Sequence, residues 1–220
     1  MVEKIQRKSS IVPQPDTQEL ITVSARELSR DIYSDQEIEG AIKYVFGVDT
    51  ELVKDMTYSV IEKDGEIAGC GGWSKRKTLF GGNQFSGREE PEYLDPLKDA
   101  AKIRAFFIHP KFARQGLGSM LLRHCEREAH LNGFTQLEMM ATLPGVKLYT
   151  TLAYKTVSDE VVRLPNDVPL RFVRMIKNLK EHILDKNSEK EKSPITSIGL
   201  FRESINEHAE SSTVALRSKL

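Results

Sequence analysis

The spacing of apolar and polar residues predicts a mixed α/β domain over residues 3–178. Runs that alternate with a period of two predict strands, and runs with a period near 3.6 predict helices. The predicted strands are residues 3–8, 57–62, 66–74, 102–108, 136–141, 154–161 and 170–176, and the predicted helices are residues 15–30, 35–46, 116–131 and 145–151. Because strands and helices interleave along the chain, we expect a central sheet covered by helices.

Turn-forming residues mark some of the boundaries between these elements. Lys63-Asp64-Gly65 predicts the tight turn of a hairpin. Asn132-Gly133 predicts the end of the third helix, because glycine readily adopts the left-handed conformation that closes a helix. Residues 80–99 hold three glycines and two prolines among charged residues. They predict a long connection, of the kind that is usually functional or disordered.

The pattern changes after residue 178. Residues 179–220 contain seven Lys or Arg and seven Asp or Glu, with few large apolar residues. Such a segment buries too little apolar surface to offset the entropy lost on ordering. We therefore divide the chain into a folded domain, residues 1–178, and a polar, flexible C-terminal tail, residues 179–220.

Composition argues against several classes of protein. Lys+Arg 32 balances Asp+Glu 32, and no basic stripe with interleaved aromatic residues is visible, so we expect no nucleic-acid partner. No apolar run approaches the ~18 residues of a membrane span, and the first residues lack the apolar segment of a secretory signal. Cys70 and Cys125 are too few for a disulfide framework, which favours a reducing compartment. No cluster of His, Cys and Asp has metal-ligand spacing, so no metal is expected.

The most informative segment is residues 103–122, which run from a strand through a proline and a glycine-containing turn into a helix. Gly116 and Gly118 stand where that helix begins. The first backbone N–H groups of a helix have no intrahelical partner, and glycine lets an anion approach them closely. Arg114 adds formal positive charge. The segment therefore predicts a phosphate or diphosphate site at residues 114–119, with a ligand-free tight turn as the alternative.

The glycine spacing excludes the commonest phosphate loops. The G-x-x-x-x-G-K-[ST] pattern of a Walker loop is absent. The third glycine of the dinucleotide-binding fingerprint is missing as well.

At these residues the sequence resembles the GNAT superfamily of acetyl-CoA-dependent N-acetyltransferases, whose motif A is a strand, a proline, and R/Q-x-x-G-x-G/A opening a helix. Residues 113–118, ARQGLG, occupy that stretch, with Ala113 where the family prefers Arg or Gln. Residues 148–154, LYTTLAY, resemble the family's F/L-Y-x-x-L-G-F segment, with Ala153 in place of glycine. The resemblance extends over residues 3–178 and implies a GNAT-like acyl-CoA N-acyltransferase fold.

The resemblance implies acetyl-CoA as co-substrate and an amine as acceptor, which attacks directly in a ternary complex. Tyr149 would be the general acid that protonates the departing CoA thiolate; packing of a helix tyrosine on the sheet is the alternative. Thr142 stands where many members have Asn. The residues implied to bind acetyl-CoA are Phe106, Phe107, Ile108, Arg114, Gln115, Gly116, Leu117, Gly118, Ser119 and Thr142.

The acceptor and the general base have no readable signature. Residues 26–50 and 80–99 would contact the acceptor, which could be a polyamine, an amino-sugar, an amino acid or a protein amine. His109 is a weak candidate for the base, and Glu138 is better interpreted as a solvated residue on a strand face. The substitutions in the family motifs also leave open a non-catalytic acyl-CoA-binding sensor or scaffold.

The last three residues, Ser218-Lys219-Leu220, match the C-terminal signal that a peroxisomal import receptor reads. A polar, mobile tail would present this tripeptide freely. We therefore expect the import receptor as a partner and the peroxisome as the location in a eukaryotic cell, with the cytoplasm as the alternative.

Overall fold

The computed structural model describes residues 3–7, 15–85 and 92–179. The strands are β1 (Glu3–Arg7), β2 (Tyr58–Lys63), β3 (Glu66–Ser74), β4 (Ala101–Ile108), β5 (Gln136–Thr142), β6 (Lys155–Arg163) and β7 (Pro169–Asn178). The helices are α1 (Pro15–Ser29), α2 (Asp35–Tyr44), α3 (Thr50–Lys54), α4 (Leu117–Leu131) and α5 (Val146–Thr151). These elements confirm the predicted mixed α/β class.

The strands form one sheet with the order β1-β2-β3-β4-β5-β7-β6. Every neighbouring pair is antiparallel except β4 and β5, which run parallel. Those two strands pair only where Ala101 meets Leu137 and Lys102 meets Glu138. Beyond Lys102 they diverge, which leaves a gap in the middle of the sheet.

Two hydrophobic clusters lie on the two faces of the sheet. Consecutive strand residues point to opposite faces, so Val60 belongs to the cluster with α1 and α2, and Ile61 to the cluster with α4. Cys70 and Cys125 are both fully buried in these clusters, which confirms their interpretation as small packed residues. The gap between β4 and β5 therefore opens between two well-packed layers.

Backbone conformation confirms two of the predicted boundaries. Asp64 and Gly65 form a two-residue turn between β2 and β3, with φ values of 53° and 81°. Turns of this length with two positive φ angles match the twist of a hairpin. The α4 helix ends at Leu131, and Gly133 follows with φ 91°.

Other elements differ from the sequence prediction. Helix α3 was not predicted: it is only five residues long, too short to show a period, and the Asp49 side chain caps it by accepting from the Glu51 N–H at 3.1 Å. Part of the predicted long connection is ordered, since residues 92–94 return to hydrogen-bond with residues 75–77. Residues 86–91 of that connection lie outside the described residues.

Leu179, the first residue of the predicted tail, packs against the folded domain. Leu179 is buried in the α4 cluster, and its N–H donates to the Thr135 carbonyl at 2.8 Å. The rest of the predicted tail, including the residues of the predicted import signal, lies outside the described residues.

Candidate active site

Strand β4 is distorted at the point where it leaves β5. Its register with β3 shifts between Cys70 and Gly72, and Ala105 opposite this shift has φ 52°. A positive φ is uncommon for a residue with a Cβ, and it marks a bulge here. The bulge lies within residues 103–108, whose edge facing β5 has no strand partner. Backbone N–H groups along this edge are therefore available to a ligand.

The turn before α4 exposes a second set of backbone donors. Arg114 and Gly116 have φ values of 62° and 83°. Left-handed residues between right-handed or extended ones make successive N–H groups converge into an anion-binding concavity. Between described residues, no hydrogen bond starts at a backbone N–H of residues 114–119. A Cβ built on Gly116 would meet no atom within 4 Å, so the turn is open above this residue.

One cavity of about 710 Å³ brings these features together. It is lined by all of the residues predicted to bind acetyl-CoA except Gln115 and Leu117, and by Tyr149. The Leu117 side chain is buried in the core. The Gln115 side chain accepts from Lys63 Nζ at 2.8 Å and donates to the Lys111 carbonyl at 3.2 Å. These two residues contribute backbone to the turn, but their side chains point to other partners.

Tyr149 lies on α5 at the gap between β4 and β5. Its ring contacts the rings of Phe106 and Tyr154 edge to face, at centroid distances of 6.2 and 6.0 Å. Burial, and secondarily the nearby Cys125 thiol, raises the pKa of Tyr149 above its ordinary value. The phenol therefore keeps its proton at neutral pH and can donate it when a negative charge forms beside it.

A second, smaller cavity of about 70 Å³ lies next to the first. Tyr149 lines both cavities, and so do Phe46, Phe106, Phe107 and Thr142. The two cavities therefore meet at these five residues, where β4 and β5 diverge.

The two weak candidates for a general base have other contacts. His109 Nδ1 accepts from the Lys111 N–H at 3.1 Å, so its imidazole caps the short 3₁₀ helix Pro110–Phe112. Glu138 is buried, and its interpretation as a solvated residue is wrong. It binds Lys102 Nζ at 2.5 Å and also Arg174. Burial raises the pKa of Glu138, but the two cations outweigh that effect and the pKa is lowered.

The sequence did not reveal that helix α1 contributes to the larger cavity. Residues Leu28 and Ile32, in and just after α1, line it and are 39% and 44% exposed. Large apolar residues at i and i+4 that remain exposed indicate a ligand-binding surface rather than a core contact. Residues 26–50 were expected to contact the acceptor, whereas several residues between 24 and 32 line the same cavity as the predicted acetyl-CoA residues.

The described part of the chain shows neither a metal-ligating cluster nor a membrane-spanning helix. No group of three or more His, Cys, Asp or Glu side chains there could hold a metal ion. None of its helices combines the length and apolar character needed to cross a membrane.

Comparison of the fold with solved structures gives similar N-acetyltransferases. A GCN5-related N-acetyltransferase from Rhodopseudomonas palustris has a TM-score of 0.58 and 16% identity, with 81% of this chain and 97% of that one covered. PaiA N-acetyltransferase from Thermoplasma acidophilum, solved in complex with coenzyme A, has a TM-score of 0.54 and 16% identity over 81% and 99% of the chains. An N-acetyltransferase from Staphylococcus aureus Mu50 has a TM-score of 0.51 and 12% identity over 81% and 99%. At these identities the likeness concerns the fold.

No curated protein matches the sequence significantly. The model of the acetyltransferase (GNAT) family, by contrast, matches residues 23–154. That range is more than half of the chain, and it includes the open turn before α4, the bulged strand β4 and Tyr149. The chain therefore belongs to the GNAT acetyltransferase family.

Proposed function

We propose that the protein transfers the acetyl group of acetyl-CoA to a primary amine by direct attack in a ternary complex. One observation carries the proposal: a single cavity joins the open turn at residues 114–119, the unpaired edge of β4 and the protonated Tyr149. These three features match the three parts of the co-substrate that need recognition, namely the pyrophosphate, the thioester carbonyl and the sulfur.

The pyrophosphate would bind to the turn before α4. Its oxygens would accept from the convergent N–H groups of residues 114–119, and the positive end of the α4 dipole would add to the attraction. The Arg114 side chain lines the cavity and contributes a formal charge. Gly116 leaves room for the anion directly over the backbone.

The thioester would lie beside β4. The amine nitrogen attacks the carbonyl carbon, and the electrons of the C=O bond move onto the oxygen. Free N–H groups on the β4 edge, near Phe106 and Phe107, would stabilise this oxyanion. Removal of one such donor typically costs ~2.7–4 kcal/mol of transition-state stabilisation.

Collapse of the intermediate re-forms the C=O bond and breaks the C–S bond. The sulfur takes the Tyr149 phenolic proton as it leaves, which gives the free CoA thiol. The amine nitrogen loses one proton to water to give the amide, and the phenol is reprotonated from solvent. Proton transfer during C–S cleavage avoids the release of a bare thiolate, and the proton regained from solvent removes the negative charge that the transfer leaves on the buried phenol oxygen.

Acetyl-CoA turnover with a panel of amines tests the proposal. The panel contains alkylamines, polyamines, amino acids, amino-sugars and a lysine peptide, and the readout is the CoA thiol released. Cys70 and Cys125 are fully buried, and burial raises the pKa of the Cys70 thiol to about 12, so the protein contributes little to the thiol signal. We expect amine-dependent release. Tight acetyl-CoA binding without release on any amine would contradict the proposal and favour the acyl-CoA sensor.

A further inference from the structure

Tyr33 lies in the connection between α1 and α2, and its hydroxyl joins two distant parts of the chain. The phenol donates to the Arg171 carbonyl on β7 at 2.5 Å and accepts from the Leu143 N–H at 2.9 Å. Tyr33 is 4% exposed and packs in the hydrophobic cluster with α1 and α2. It lines neither cavity, so it can act on a bound substrate only through other residues.

The Leu143 N–H belongs to the segment that connects β5 to α5. Leu143 opens the short 3₁₀ helix Leu143–Gly145, and α5 follows directly. The first N–H groups of a helix have no partner within it, and Tyr33 supplies one from outside. The preceding residue, Thr142, lines both cavities. The Tyr33 hydroxyl therefore holds the chain where β5 ends and the helix that carries Tyr149 is about to begin.

The end of this 3₁₀ helix is in contact with the Tyr149 ring. A Cβ built on Gly145 would lie 2.7 Å from Cε2 and 3.4 Å from Cζ of Tyr149, so the ring packs directly against the glycine. The same point lies 3.5 Å from Thr142 Oγ1. Because Cζ carries the hydroxyl, residues 142–145 contact the end of the ring that would supply the proton. A displacement of these residues would therefore move that hydroxyl.

The connection that carries Tyr33 is held by bonds on both sides of the phenol. The Ser34 hydroxyl accepts from the Glu37 N–H at 3.3 Å, and the Glu37 carboxylate accepts from the Ser34 N–H at 2.9 Å. This capping box fixes the start of α2. On the other side, the Arg171 guanidinium lies 3.5 Å from the Ile32 carbonyl. These contacts determine where the Tyr33 hydroxyl lies relative to β7.

We infer that Tyr33 is a positioning residue for the general acid, which it aligns through residues 142–145. This role rests on the proposed function, in which Tyr149 protonates the departing sulfur. Without the Tyr33 hydroxyl, the Leu143 N–H and the Arg171 carbonyl lose their shared partner, and residues 142–145 are free to shift. General acid catalysis needs the donor within hydrogen-bond distance of the atom that it protonates. A misplacement of 1 Å can cost roughly 100-fold in rate.

Tyr33→Phe tests this role, because it keeps the ring and removes only the hydroxyl. Tyr58→Phe is the matched control, since Tyr58 is buried in the same cluster, is 2% exposed and lines neither cavity. The kcat of Tyr33→Phe should fall roughly tenfold or more, while its acetyl-CoA Kd and the kcat of Tyr58→Phe stay within about twofold of the wild type. A wild-type kcat in a folded Tyr33→Phe variant would overturn the inference.

Double variants separate positioning from a general structural role. If Tyr33 acts through Tyr149, Tyr33→Phe should hardly lower kcat further in a Tyr149→Phe background, whereas general loosening of the fold would lower it by the same factor in both backgrounds. Equal factors would overturn the inference. Gly145→Ala pushes on the ring directly and should also lower kcat only where Tyr149 is present. It keeps the test available should Tyr33→Phe unfold, and equal losses in both backgrounds would again refute the positioning.

A spectroscopic measurement separates failure of this role from failure of the proposed function. The NMR signals of the Tyr149 ring, assigned in tyrosine-labelled protein by their loss in Tyr149→Phe, can be followed without turnover. We expect them to shift or broaden in Tyr33→Phe and to stay unchanged in Tyr58→Phe. If no amine releases thiol in the wild type, the proposed function fails, and the placement of the Tyr149 ring is judged on these signals alone. Unchanged Tyr149 signals in Tyr33→Phe would refute the placement in either case.

Discussion

Gly116 and Gly65 allow the pyrophosphate assignment to be tested with a matched pair of substitutions. Both glycines have positive φ, 83° and 81°, and a Cβ added at either position would meet no atom within 4 Å. They differ in location, since Gly116 lines the larger cavity and Gly65 lies in the turn between β2 and β3. Gly116→Ala and Gly65→Ala therefore impose the same backbone strain, but only the first adds a methyl group where the phosphate would bind.

The expected loss of stability is similar for both variants. An L-residue in the left-handed region costs roughly 1–2 kcal/mol, and the reduced freedom of the unfolded chain returns about 0.4–1 kcal/mol. A net loss of about 1 kcal/mol lowers the Tm by roughly 2–4 °C in a domain of this size. Thermal unfolding without ligand should show this fall in both variants.

Acetyl-CoA affinity should separate the two variants. At Gly116 the added methyl group pushes the phosphate away from the backbone donors, and a lost hydrogen bond to a charged group costs about 1.5–3 kcal/mol. The acetyl-CoA Kd of Gly116→Ala should rise roughly 10- to 100-fold by calorimetry, and that of Gly65→Ala should stay within about twofold. A folded Gly116→Ala variant with wild-type affinity would refute the pyrophosphate site, and equal losses in both variants would point to strain alone.

Three further predictions concern the acid, a buried ion pair and the tail. Tyr149→Phe should lower kcat roughly 100-fold with little change in the acetyl-CoA Kd. Tyr154→Phe, at a second buried tyrosine, should keep the wild-type kcat. A wild-type kcat in Tyr149→Phe would argue against Tyr149 as the general acid. The pKa of Glu138 is lower in the folded protein than in the unfolded chain, where it is about 4.3, so the ionised carboxylate stabilises the fold above that pH. This stabilisation is lost as the pH falls through the folded-state pKa. Glu138→Gln should therefore be less stable than the wild type in urea at pH 7, with a difference that shrinks at acid pH; a constant difference would contradict this. A fluorescent protein that carries residues 187–220 at its C terminus should enter peroxisomes and lose that location without residues 218–220; diffuse signal from the intact segment would contradict import.

Features that depend on neighbouring residues in the sequence were predictable. The turn at Asp64 and Gly65 needs only two adjacent residues that tolerate positive φ. The open turn before α4 likewise follows from Gly116 and Gly118 between a proline and an apolar helix. In both cases the chemistry of a few consecutive residues determines the backbone.

Features that depend on strand pairing were not predictable. Glu138 looked like a solvated strand residue because its partners, Lys102 and Arg174, are far away in sequence. They meet it only because β5 pairs with both β4 and β7. The smaller cavity was equally hidden, since its walls come from six separate segments of the chain.

Two residues in a strained backbone conformation lie at the candidate site. Six described residues other than glycine have positive φ. Of these, Ala105 lines the smaller cavity and Arg114 lines the larger one. Alanine and arginine give no local reason for this conformation, and each such residue costs about 1–3 kcal/mol and persists only where its surroundings impose it. At Ala105 the imposing contacts are those of β3 across the shifted register. The pairing with β3 thus maintains the strained conformation of Ala105 in the part of β4 that no longer pairs with β5, beside the gap that both cavities border.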